Sequence, residues 1–125
     1  MHNFRKLDIW SDSVELADTI YTVTEDFPRH EVYGLASQMQ RAAVSIPSNI
    51  AEGSGKCSDK DFARFLGISL GSLFELETQV EIAHRRGYIG TPIYYTLNTT
   101  ITSLQKRVFM FRQSIEDRIC KTNWS

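Results

Sequence analysis

The sequence predicts an all-α fold, an up-and-down antiparallel four-helix bundle. Three observations predict it. Apolar residues recur at alternating steps of three and four along four segments. Glycine, proline and capping residues punctuate the gaps. No run alternates apolar and polar residues as a half-buried strand would. With 42% hydrophobic and 23% charged residues in 125, the chain can bury a core without metal or disulfide staples. A single domain over 1–125 is expected, with helices at roughly 5–26, 32–53, 58–87 and 91–120.

The first helix carries Leu7, Trp10, Val14, Ala17, Tyr21 and Thr24 on one face and ends at Phe27-Pro28, because a residue before proline is pushed out of helical geometry. The second places Leu35, Met39, Ala42, Ile46 and Asn49 on a face and stops at Gly53-Ser54-Gly55. Pro47 lies inside it, and its missing N–H and its ring predict a bend there. Ser58 with Asp61 resembles a capping box and opens the third helix, which runs through Phe62, Phe65, Leu66, Ser69, Leu73, Leu76, Val80 and Ala83 to Gly87. Thr91 reads as an N-cap with Pro92 as the first helical residue, followed by Leu97, Ile101, Leu104, Val108, Phe111 and Ile115. Short connections make sequential helices antiparallel neighbours.

Two helices carry more apolar surface than a simple bundle needs. The first has a second set at Ile9, Leu16, Ile20, Val23 and Phe27, and between Phe65 and Phe74 the third is apolar in nearly every direction. Exposed apolar patches of this kind are usually interfaces, so self-association is expected. A polar row is embedded in the second helix at Arg41, Ser45, Asn49 and Glu52, and the third offers Ser69, Ser72, Glu75 and Gln79 at similar spacing. If the rows face each other, Arg41 pairs with Glu75 and Asn49 bonds across to the serines, fixing the helix register. Gly67 and Gly71 would then let the two backbones approach. The alternative is a ligand pocket lined by Arg41, Asn49, Glu52 and Glu75.

Catalytic motifs are not found. His2, His30 and His84 have no second ligand at helical spacing, and Glu75, Glu77 and Glu81 lack the Glu-x-x-His of a di-iron bundle. Gly53-Ser54-Gly55-Lys56 is a helix terminator followed by a base, not a phosphate loop. No metal, cofactor or enzymatic activity is expected. Cys57 and Cys120 form no CxxC pair and suit a reducing compartment. With no secretory signal pattern and no apolar run near 20 residues, a cytoplasmic, non-membrane protein is expected.

The net charge of −1 conceals a gradient. Residues 1–31 hold three Lys/Arg and seven Asp/Glu, residues 32–83 four and six, and residues 84–125 seven and two. The basic groups at the C-terminal end are Arg85, Arg86, Lys106, Arg107, Arg112, Arg118 and Lys121. A one-sided basic stripe is the footprint of a phosphate-backbone binder, with Arg85, Arg86, Lys106, Arg107 and Arg112 the candidate contacts. The opposing expectation is a solvated face paired with the acidic first helix of the same or a neighbouring subunit.

The stretch Phe27-Pro28, Glu31-Val32-Tyr33-Gly34-Leu35 and the run Gln38 to Gly53, QMQRAAVSIPSNIAEG, resembles the four-helix bundle proteins encoded within intervening sequences of bacterial 23S ribosomal RNA genes. Phe65-Leu66, Gly71-Ser72-Leu73, Glu75-Leu76-Glu77-Thr78-Gln79 and Gly87-Tyr88-Ile89 extend the resemblance over nearly the whole chain. That family is similar to the accessory variability proteins of diversity-generating retroelements. The resemblance implies a homopentameric barrel of bundles and, in the retroelement branch, basic surfaces offered to RNA and a reverse transcriptase. This chain departs from the strongly basic retroelement proteins in its slightly acidic total.

Overall fold

A computed structural model of the chain describes residues 3–124, and every regular element among them is helical. Four α-helices, α1 (Asp8–Thr24), α2 (Leu35–Ser54), α3 (Asp59–Arg85) and α4 (Thr91–Trp124), form the bundle. Two short 3₁₀ turns, Phe4–Lys6 and Arg29–Glu31, precede α1 and α2.

Helix boundaries follow local chemistry. The N-terminal turn is capped by the Asn3 side chain, which accepts from the Arg5 N–H, and the extended backbone of Leu7 separates it from α1. The first α-helix therefore starts at Asp8 rather than near residue 5. Before α2, the Glu31 carboxylate accepts from the Leu35 N–H at 3.1 Å and takes the place of an N-cap side chain. Gly34 leaves room for this, since a Cβ there would lie 2.6 Å from Glu31 Oε1. The helix consequently opens at Leu35 instead of 32. It continues through Pro47 without dividing in two.

Ser58 accepts from the Asp61 N–H at 3.1 Å at the start of α3. At its end, Gly87 adopts φ +77°, while Tyr88 N–H reaches Ala83 O and Gly87 N–H reaches His84 O, a Schellman closure. The fourth helix corrects the expected cap by one residue. Its first intrahelical bond runs from Tyr94 N–H to Gly90 O, so Gly90 is the cap and Pro92 the second helical residue, where a missing N–H still costs no helical bond.

The core is one cluster built on Ile20, Met39, Ile46, Ile50, Leu66, Leu73, Leu76, Val80, Leu97, Ile101, Leu104 and Ile115. In α1 the buried stripe is Ile9, Ser13, Leu16, Ala17, Ile20 and Thr24, and Val14 and Tyr21 are exposed. Ile9, Leu16 and Ile20, which the sequence suggested were part of a surplus second set, are thus core, sharing the buried face with Ala17 and Thr24 of the first. Ile9, Leu16 and Ile20 carry no polar atom, so they take the centre of the buried arc and leave Tyr21 its hydroxyl in water. The pairs α2–α3, α3–α4 and α1–α2 pack closely; α1 and α4 touch much less and leave the most open seam.

Candidate functional site

Two regions contain the residues singled out by sequence, the α2–α3 seam and the basic end of the chain. In the seam, small and hydroxyl residues bring the helices together. A Cβ at Gly53 would meet Phe65 Cβ at 2.7 Å and Phe62 at 3.0 Å, so glycine permits this close approach. Ser69 Oγ donates to Ile46 O at 2.8 Å, and Ser72 Oγ to Ser45 Oγ at 2.9 Å. Asn49 does not cross to α3. Its Nδ2 donates back to Ser45 O and Oγ at 2.8 and 3.0 Å, because a residue four positions on reaches that carbonyl more directly.

Arg41 and Glu75 face a common groove of about 280 Å³, lined also by Gln38, Ala42, Ser45 and Ser72, but they form no ion pair within 4.0 Å. Glu75 instead accepts from Gln79 Nε2 at 3.4 Å, and Gln79 Oε1 is buried without a partner. Asn49 and Glu52 lie outside the groove, and Glu52 is exposed. Gly67 and Gly71 do not serve the α2 contact either. Gly67 lies against the Arg112 guanidinium of α4, with 3.3 Å left for a Cβ, and Gly71 is open, with nothing within 4 Å.

The basic residues are spread over several faces. Arg107 turns to α1 and bonds Asp12 at 2.6 Å; its Nε is buried and has no partner among the described residues. Arg112 turns to α3, donating to Ala63 O at 2.9 Å and pairing with Glu116 at 3.3 Å. Arg118 bonds Asp59 at 2.7 Å. Arg85 pairs with Glu81 at 2.9 Å, whereas Arg86 and Lys106 are exposed and carry no ion pair among the described residues.

Sequence reasoning missed a cluster where α3 meets α4. Tyr94 Oη donates to Glu81 at 2.5 Å, and His84 stacks on the Tyr94 ring at 4.0 Å. The tyrosine and Arg85 hold the Glu81 carboxyl below its usual range, and Glu81 in turn raises both partners. Nearby, Tyr88 Oη donates to Glu31 at 2.9 Å; the Leu35 N–H first and Tyr88 second lower the Glu31 pKa. Only the Glu81–Arg85 spacing signalled any of this in the sequence. Two cations, Lys56 at 5.3 Å and Arg64 at 4.6 Å, also sit over the Phe65 ring.

Among the described residues no group of three or more His, Cys, Asp and Glu is placed to hold a metal ion; His2 lies outside them. Cys57 and Cys120 are exposed free thiols. No helix among the described residues is long and apolar enough to cross a membrane.

Residues 5–109 match the family model of the 23S rRNA-intervening sequence protein. The chain belongs to that family. Its bundle superposes on the 1.70 Å crystal structure of a protein of unknown function from the S23 ribosomal protein family of Bacteroides thetaiotaomicron, with a TM-score of 0.78 and 25% identity. The match covers 84% of this chain and 95% of that one. No curated protein matches the chain in sequence. The family match includes the whole α2–α3 seam and stops at Phe109, so Arg112 and Arg118 lie beyond it.

Proposed function

We propose that the chain is a non-enzymatic cytoplasmic scaffold that self-associates through the outer face of α3 and α4, in the homopentamer that the family resemblance implies. The observation that carries this reading is a line of exposed aromatic and aliphatic side chains. Phe74 is 52% exposed, Ile82 46%, Tyr95 64% and Phe109 54%. Phe74 shares a helical stripe with Glu77 and Glu81, which bond to Gln105 and Tyr94 of α4. On α4, Tyr95, Thr102 and Phe109 follow at steps of seven beside the α3-facing residues Tyr94, Asn98, Gln105 and Arg112. The four large side chains therefore flank one seam. Burying the exposed half of each contributes about 1 kcal/mol, so a shared face of several is worth a stable contact.

Sedimentation velocity tests it. The native chain should sediment as an assembly of five 14.3 kDa subunits, and Phe74→Asp with Phe109→Asp should release monomers of unchanged helicity. A native chain that is monomeric at all concentrations refutes the reading.

A second reading is binding of RNA, or of a complex of RNA with a reverse transcriptase, through the basic residues. Arg86 and Lys106 support it, because both charges remain available to phosphates. Counterion release predicts a slope of log affinity against log salt that falls by about 0.7 for each single-strand phosphate contact removed. Neutralising Arg86 and Lys106 should lower the slope, and neutralising Arg85, Arg107 or Arg112, already engaged within the chain, should lower it less. RNA binding that ignores salt, or no binding at low salt, excludes this reading.

A further inference from the structure

We propose that the α2–α3 groove bounded by Arg41 and Glu75 is a binding site for a small zwitterion, a free amino acid whose carboxylate meets Arg41 and whose ammonium meets Glu75. Around this groove the chain leaves a specific set of donors and acceptors unused. Among the described residues Arg41 makes no ion pair and no side-chain hydrogen bond, so its guanidinium N–H groups remain for an acceptor. Ser45 Oγ accepts from both Asn49 Nδ2 and Ser72 Oγ. Two hydroxyls joined by one bond retain one hydrogen between them, and no acceptor among the described residues takes it. Both hydroxyl residues line the groove, next to Arg41. A carboxylate uses a guanidinium fork and a hydroxyl donor together.

The opposite wall has the reverse character. Glu75 spends one oxygen on Gln79 Nε2, and its other oxygen has no partner among the described residues. The Glu75 carboxylate, exposed at the groove wall, suits an ammonium group, which brings three donors. Charges of opposite sign on facing walls that do not close into an ion pair leave room for a molecule carrying both signs. The volume of about 280 Å³ lies at the lower edge of small-molecule sites, and Ala42 gives the groove an apolar patch for a short carbon chain.

This groove lies on the α2 side of α3 and the self-association face on the α4 side, so the two readings fail separately. Calorimetry on the intact native chain with glycine, β-alanine and γ-aminobutyrate tests the site, with acetate and methylammonium as single-charge probes. At least one zwitterion should bind saturably at millimolar concentration and shift the Ser45 and Ser72 amide resonances. Arg41→Met and Glu75→Gln should each weaken it about tenfold or more, and Thr78→Ala, outside the groove, should not. Arg41 and Glu75 are exposed, and a far-UV melt verifies that both variants fold. No saturation by any of the three up to about 10 mM overturns the proposal. So does binding that survives Arg41→Met, or acetate that binds as tightly as the zwitterions.

Discussion

The α2–α3 seam and the α1–α4 seam are built from the same residue types and behave in opposite ways. Both are rich in Ser and Thr. Across α2–α3 the hydroxyls of Ser69 and Ser72 bond to the other helix, and Gly53 allows the backbones to close. Along α1–α4, Thr19, Thr96 and Thr99 donate to Glu15 O, Pro92 O and Tyr95 O of their own helices, and a groove of about 410 Å³ separates the elements. A hydroxyl reaches across only where its neighbour is near; elsewhere the carbonyl one turn back wins. Seam closeness is set by what is small, and the hydroxyls follow.

The largest test of this contrast is a pair of truncations. Ile46 is fully buried in the tight seam, and Leu97, 2% exposed, lines the open groove. Ile46→Ala should cost about 4–5 kcal/mol and Leu97→Ala about 2–3 kcal/mol, because a site beside open space collapses more readily around the lost volume. Equal losses in urea unfolding would break the comparison. Gly53→Ala comes next. The added methyl meets the Phe65 Cβ, at an overpacking cost of about 1–3 kcal/mol against about 1 kcal/mol of helix propensity gained, for a net loss of about 1 kcal/mol. A stabilised Gly53→Ala would mean the helices can separate there freely. Ser69→Ala should cost about 1 kcal/mol, the worth of its bond to Ile46 O.

The contrast also explains what could be read from sequence. The four helices follow from spacing because burial demands a stripe on each. Which stripe of α1 faces inward does not follow, since Leu7 to Thr24 and Ile9 to Phe27 both satisfy the period, and only packing of all four helices selects Ile9, Leu16 and Ile20. The polar row of α2 was legible as residues but not as bonds. Arg41 and Glu75 share a groove yet do not pair, and Asn49 turns to its own helix. Gly67 illustrates the same gap. Periodicity gives an angle about the axis of α3, and α3 has neighbours on both sides, so the glycine assigned to α2 in fact admits Arg112 from α4. The basic gradient was visible as a count, and so was Glu81 four residues before Arg85, whereas the partners Asp12, Asp59 and Ala63 O that absorb most of the rest lie 49 or more residues away along the chain.

The smallest expected effect sits in the open seam. Arg107 bonds Asp12 with side chains 37% and 44% exposed, so water and salt screen the pair and its worth is a few tenths of a kcal/mol. Its Nε is buried without a partner, a cost that the ion pair must offset. Arg107→Met keeps most of the packing stem and removes both the pair and the unpartnered N–H. The variant should therefore unfold within about 0.5 kcal/mol of the native chain, and the difference should shrink further as salt rises. A loss of several kcal/mol in thermal melts would make this ion pair, rather than the apolar core, the clasp between α1 and α4, and the seam would be closed by charge where its partner is closed by small residues.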